Sequence, residues 1–125
     1  LKAAMEGLQM DPSYAERYLN VGFSGGEKKR TEILQLLMLN PKLALLDETD
    51  SGLDVDAVQI VSNGVRQFHN ENNACLIITH NTRILDKLRV DKVHVLLNGR
   101  IVEEGGPELV DVINREGFTH LQQKA

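Results

Sequence analysis

The chain has 125 residues, with 14 Lys and Arg against 18 Asp and Glu for a formal net charge of −4. That length is enough to bury a core, and 42% hydrophobic with 26% charged residues is a globular composition. The acidic balance argues against a free nucleic-acid binder, no apolar run approaches the ~20 residues of a membrane-spanning helix, and the lone Cys75 excludes an internal disulfide framework.

The first residue is Leu1, and "LKAAMEGLQM" reads as the middle of a helix without a signal-like segment, so a piece of a longer protein is expected. Pro12 marks a helix entry or break. From Glu32 to Leu39 the apolar positions Ile33, Leu34, Leu36, Leu37 and Leu39 cover more than one helical face, and Asn40-Pro41 stops the helix. "LALLD", 43–47, is a continuous apolar run that suits a strand buried on both faces of a parallel sheet. "SGLD" turns the chain into a helix over about 55–69, and "ACLIITH", 74–80, repeats the buried-strand pattern. A short helix ("RILDKL") precedes two alternating segments, "KVHVLL" and "RIVEEG", joined by Asn98-Gly99, the dipeptide of a type I′ hairpin turn. A last helix is expected over about 107–115. Strand, helix, strand, helix and hairpin make an α/β layout with mostly parallel strands, and the character changes near Pro41 from all-helical to α/β.

Three stretches carry chemistry. In "FSGGEKKR", Ser24 and Glu27 have capping-box spacing, which by itself is a plain helix start. Gly25 and Gly26 work against that reading, because glycine in a first turn costs about 0.5–1 kcal/mol relative to alanine. What they offer is bare backbone N–H groups at the positive end of a helix dipole, a site for an anion. Lys28, Lys29 and Arg30 disfavour a helix start but attract a negative ligand. In "LALLDE", Asp47 and Glu48 fall at the carboxyl end of a strand, the edge where open α/β sheets bind ligands. An aspartate there holds Mg²⁺ through waters, and a neighbouring glutamate accepts a proton from an attacking water. His80 ends the other strand, and parallel pairing would bring it beside Glu48 and a terminal phosphate. His69, His94 and His120 lack such company and read as structural.

In their order and spacing, "FSGGEKKR", "LALLDETDSGLD" and "IITH" resemble the ATP-binding-cassette (ABC) ATPases over nearly the whole chain. The resemblance implies the C-terminal part of a P-loop NTPase domain. Residues 1–40 would be the end of the helical subdomain, and 41–125 the C-terminal portion of the catalytic core. It implies that Ser24, Gly25, Gly26 and Glu27 are the signature that contacts nucleotide, that Asp54 closes the D-loop, and that Asp47 holds Mg²⁺ through water. Glu48 would be the catalytic base and His80 the switch histidine, with ATP and Mg²⁺ as cofactors. No G-x-x-x-x-G-K-[ST] phosphate cradle occurs in the 125 residues. The resemblance therefore implies that the phosphate facing Ser24 is carried by a second copy, in an ATP-dependent head-to-tail dimer, and that the chain alone is inactive.

Within the family, "LLDETDSGLDVDAV", with Asp50 and Asp56 around the D-loop, and "LIITHNTRILDKLRVDKVHVLLNGRIVEEGGPEL" look like the SufC-type ATPases of the SUF iron–sulfur cluster assembly system. That implies SufB- and SufD-like scaffold partners, no nucleic acid, no membrane insertion, and a cytoplasmic or plastid-stromal location. Thr49 departs from the apolar residue expected there, which puts local packing in question. Other readings are the nucleotide-binding subunit of a membrane transporter, a DNA-repair-type ATPase lobe, and a non-enzymatic fragment.

Overall fold

The computed structural model describes residues 1–19 and 21–118, in two compact units, Leu1–Leu88 and Arg89–Ala125. His120 lies outside the described residues.

The first unit opens with α1 (Lys2–Gly7), shorter than the sequence suggests. Gln9 takes a left-handed conformation (φ 52°), and the Met10 N–H reaches back to the Met5 carbonyl at 2.9 Å. A 3₁₀ turn over Pro12–Glu16 follows, entered through Asp11, whose carboxylate accepts from the Ser13 N–H at 2.8 Å. Helix α2 (Gly25–Leu39) ends at Asn40, which adopts a left-handed C-cap (φ 43°, ψ 57°) before Pro41. Strand β1 (Leu43–Asp47), α3 (Val55–Phe68) and β2 (Ala74–Ile78) come next, then a 3₁₀ turn at Thr82–Leu85.

Helices α2 and α3 share one core, in which Leu8, Ile33 and Leu36 pack with Val58, Val61, Val65, Phe68 and Ile84. Leu39 is 76% exposed, so the apolar wrap of α2 is less complete than the sequence pattern implies. The close approach of the two helices depends on Gly64, where an added Cβ would lie 2.4 Å from Ile33 Cγ2.

β1 and β2 pair in parallel, with Leu43 opposite Ala74 and Asp47 opposite Ile78. Their burial differs from the expectation of two covered faces. Ala44, Leu46, Cys75 and Ile77 face the core, whereas Leu43, Leu45, Leu76 and Ile78 are each more than half exposed. The reason is the layer count: helices of this unit cover one side of the pair, and no described element of the unit lies on the other.

The second unit holds the antiparallel hairpin β3 (Val93–Leu97) and β4 (Arg100–Gly105), with a bulge between Val95 and Leu96. Asn98 and Gly99 both have positive φ (49° and 76°), as a type I′ turn requires. Helix α4 (Glu108–Glu116) closes the unit, and the Glu108 carboxylate accepts from the Gly106 N–H at 2.9 Å. No helix among the described residues is long and apolar enough to cross a membrane.

Candidate functional site

The N-terminus of α2 forms both halves of the capping box. Ser24 Oγ accepts from the Glu27 N–H at 3.3 Å, and Glu27 Oε2 accepts from the Ser24 N–H at 2.7 Å. The sequence did not reveal that the other Glu27 oxygen is held by the Tyr14 hydroxyl, which donates to it. Tyr14 in turn packs edge-on against the buried Phe23 and lies under the Arg17 guanidinium. The Tyr14 hydroxyl, followed by hydrogen bonds to Ser24, lowers the Glu27 carboxyl to about 2, and the same carboxylate pushes the Tyr14 phenol up. An open recess of roughly 320 Å³ beside this cluster is lined by residues including Gln9, Asp11, Arg17 and Arg30.

Neither glycine of the loop is required by the chain's own packing. An added Cβ at Gly25 would meet nothing within 4 Å, and at Gly26 only Leu53 Cδ2 at 3.8 Å, an ordinary contact. The bare backbone at the start of α2 is therefore open to another molecule.

At the carboxyl end of the parallel pair, Glu48 and His80 meet as the strand order predicts, His80 Nδ1 lying 3.2 Å from Glu48 Oε1. Glu48 is left-handed (φ 47°), a conformation that costs a non-glycine residue about 1–3 kcal/mol. It turns the side chain away from the strand direction, and the Glu48 N–H still donates to the Ile78 carbonyl at 2.8 Å. Asp47, one residue earlier, is exposed. Among the described residues no cluster of three His, Cys, Asp or Glu side chains stands ready for a metal. A single carboxylate at a strand end suits Mg²⁺, which keeps most of its waters and takes one or two carboxylates plus phosphate oxygens.

Asp54 caps α3, its Oδ1 accepting from the Ala57 N–H at 2.8 Å. Thr49 is buried at 3% exposure, so the polar residue in an apolar position is packed inside. Asp50, also buried, accepts from Thr79 at 3.0 Å, a contact across 29 residues that sequence spacing does not reveal. No hydrogen bond or ion pair among the described residues links the Ser24 cluster to Glu48 or His80. His69 bonds Asn73, and in the second unit His94 bonds Glu104 across the hairpin.

Residues 1–51 match a family model described as ABC transporter. A Bacillus subtilis protein called vegetative protein 296 is 54% identical over 120 residues, covering 96% of this chain and 46% of that protein. The chain is similar to part of an ABC ATPase domain. A probable ATP-dependent transporter, ycf16, of Cyanophora paradoxa is 50% identical over 98% of this chain and 48% of its own length. Among solved structures, a nucleotide-free ATP-binding cassette from an ABC transporter superposes with a TM-score of 0.71 at 26% identity. That match covers 98% of this chain and 47% of the cassette. The chain thus spans about half the length of the curated relatives it matches. The ABC family match ends just past Glu48 and Asp50, and His80 lies beyond it, placed by β2 rather than by the family model.

Proposed function

We propose that the protein containing this chain is the ATP-binding and ATP-hydrolysing subunit of an ABC system. The observation that carries the reading is the Glu48–His80 contact at the carboxyl edge of a parallel pair. Glu48 takes the proton of the attacking water, and His80 orients that carboxylate and reaches the terminal phosphate. Asp47 would hold Mg²⁺ through water, and the ion would supply charge neutralisation for the transferring phosphoryl group. Gly25 and Gly26 leave the α2 N-terminus free to approach the terminal phosphate of ATP on a second copy, with Ser24 fixed by Glu27 and Asp54 beside the shared nucleotide. Residues 1–40 act as the end of a helical subdomain and residues 41–125 as part of the catalytic core.

The relatives' names, ATP-dependent transporter and ABC transporter ATP-binding protein, support coupling to a transporter, and the proposal puts this subunit on the cytoplasmic side of its membrane. A second reading, energy supply to iron–sulfur cluster assembly through SufB- and SufD-like partners, rests on the run from Leu45 to Val58 with Asp50 and Asp56. Affinity purification of the tagged protein separates them: integral membrane permeases favour the first, water-soluble scaffolds carrying iron and sulfide the second.

The test of the hydrolytic reading is Glu48→Gln, which keeps the shape and removes the base. Turnover of Mg-ATP by the full-length protein should fall by roughly 10²–10⁴-fold with nucleotide binding kept. Wild-type turnover in this variant would refute it.

A further inference from the structure

Glu48 and His80 are 52% and 72% exposed, and water screens an exposed pair of this kind so that it contributes little. The contact between them is too weak to hold two loops in register, least of all with Glu48 in a strained left-handed conformation. The definition of the site must come from beneath it.

Two groups lie there. Asp50, two residues after Glu48, is 4% exposed, and an ionised carboxylate in such a place is costly unless it accepts strong hydrogen bonds. Its Oδ2 accepts from the hydroxyl of Thr79, the residue immediately before His80, at 3.0 Å. The Thr79 oxygen also accepts from the Asn81 N–H at 2.9 Å, and its single proton has two acceptors in reach, Asp50 Oδ2 and the Asn81 carbonyl at 3.1 Å, of which the carboxylate is the stronger. Asn81 Oδ1 accepts from the Arg83 N–H at 3.2 Å, and Ser62 of α3 donates to the Ile84 carbonyl at 2.8 Å. The loop that presents His80 is therefore tied down on both sides of the histidine. One of those ties reaches the loop that presents Glu48.

We infer that Asp50 and Thr79 are positioning residues for the hydrolytic pair: a buried carboxylate–hydroxyl latch sets the separation of the Glu48 and His80 loops. The inference rests on the function proposed above and deepens it. Neither residue touches substrate. Both act through Glu48 and His80.

The test uses the full-length protein with Thr79→Val, Thr79→Ser, Asp50→Asn and, as a control on the function itself, Glu48→Gln. Thr79→Val keeps the shape and removes the donor, and misplacing a reacting group by about 1 Å costs up to ~10²-fold. The kcat for Mg-ATP should fall about 10- to 100-fold, with KM changed by less than about threefold. Thr79→Ser restores the hydroxyl and should restore kcat to within about threefold, a rescue that a purely steric role would not give. Asp50→Asn, which keeps an acceptor oxygen, should lower kcat by less than Thr79→Val does, and it stands in should the valine variant fail to fold. Unchanged kcat in Thr79→Val and Asp50→Asn, with Glu48→Gln inactive, would overturn the latch and leave the function standing. So would parallel losses in KM and melting temperature without serine rescue. Normal turnover in Glu48→Gln would overturn both.

Discussion

Gly64→Ala tests the packing that holds α2 against the core. The added methyl would lie 2.4 Å from Ile33 Cγ2 and 3.1 Å from Leu8 Cδ2. Ile33 is wholly buried and Leu8 nearly so, which leaves neither side chain a free direction in which to move. Overpacking of this kind costs about 1–3 kcal/mol. Alanine in place of glycine inside a helix returns about 0.8–1 kcal/mol. A 2.4 Å approach calls for the upper part of that overpacking range, about 2–3 kcal/mol, so the net expectation is a loss of roughly 1–2 kcal/mol. At a urea m-value of about 2 kcal/mol/M the unfolding midpoint would drop by about 0.5–1 M without a change in slope. Ile33→Leu moves the branch away from Cβ and removes the offending methyl. In the Gly64→Ala background it should be better tolerated than alone, by a coupling of about 1 kcal/mol. A midpoint that is unchanged or raised in Gly64→Ala, or a coupling near zero, would mean that α2 and α3 are not in tight contact at Gly64.

Asp54→Ala removes the cap on α3 and should destabilise the chain by about 1 kcal/mol, whereas Asp54→Asn should be nearly neutral in urea unfolding. The Glu27 carboxyl is lowered from 4.5 to about 2 in the folded chain, so its stabilising contribution is present above pH 4.5 and is lost as the pH falls toward 2. Acid unfolding followed by circular dichroism should therefore lose part of its steepness between those limits in Glu27→Gln, and an unchanged profile would contradict the Tyr14–Glu27–Ser24 arrangement. In the 125-residue chain on its own, Leu45→Lys, on the face of β1 that this chain leaves uncovered, should change stability by no more than about 0.5 kcal/mol, while Ala44→Lys, one residue away on the covered face, should unfold it. A large loss in Leu45→Lys would mean that the face is covered.

Much of this was legible because the signals are local. Ser24 and Glu27 stand at the spacing of a capping box, Asn98-Gly99 has the two residues that tolerate positive φ, and Asn40-Pro41 is a helix stop, each written within a few residues. The Glu48–His80 meeting was legible one level up. Two short apolar runs separated by a helix favour parallel neighbours, and parallel neighbours align their carboxyl ends. Burial of the strands was less so. A continuous Leu-rich run carries no alternation to distinguish one covered face from two, and only the arrangement of layers shows Leu45 and Leu76 on an open side. The Tyr14 hold on Glu27 and the Thr79–Asp50 latch were not legible. They join residues 13 and 29 positions apart through a 3₁₀ turn and a strand pairing whose side-chain directions no periodicity encodes. The early end of α1 was missed for the reverse reason, since Gln9 is an ordinary helix former that is turned left-handed by the Met5–Met10 backbone bond.

The most direct measurement is a crystal structure of the full-length protein with Mg²⁺ and a nonhydrolysable ATP analogue. By the proposed function, Glu48 and His80 lie at the terminal phosphate, Asp47 on the water shell of the ion, and Ser24 at the start of α2 against nucleotide bound by a second copy. Nucleotide bound away from Glu48 and His80, with Ser24 facing only solvent in both copies, would contradict it.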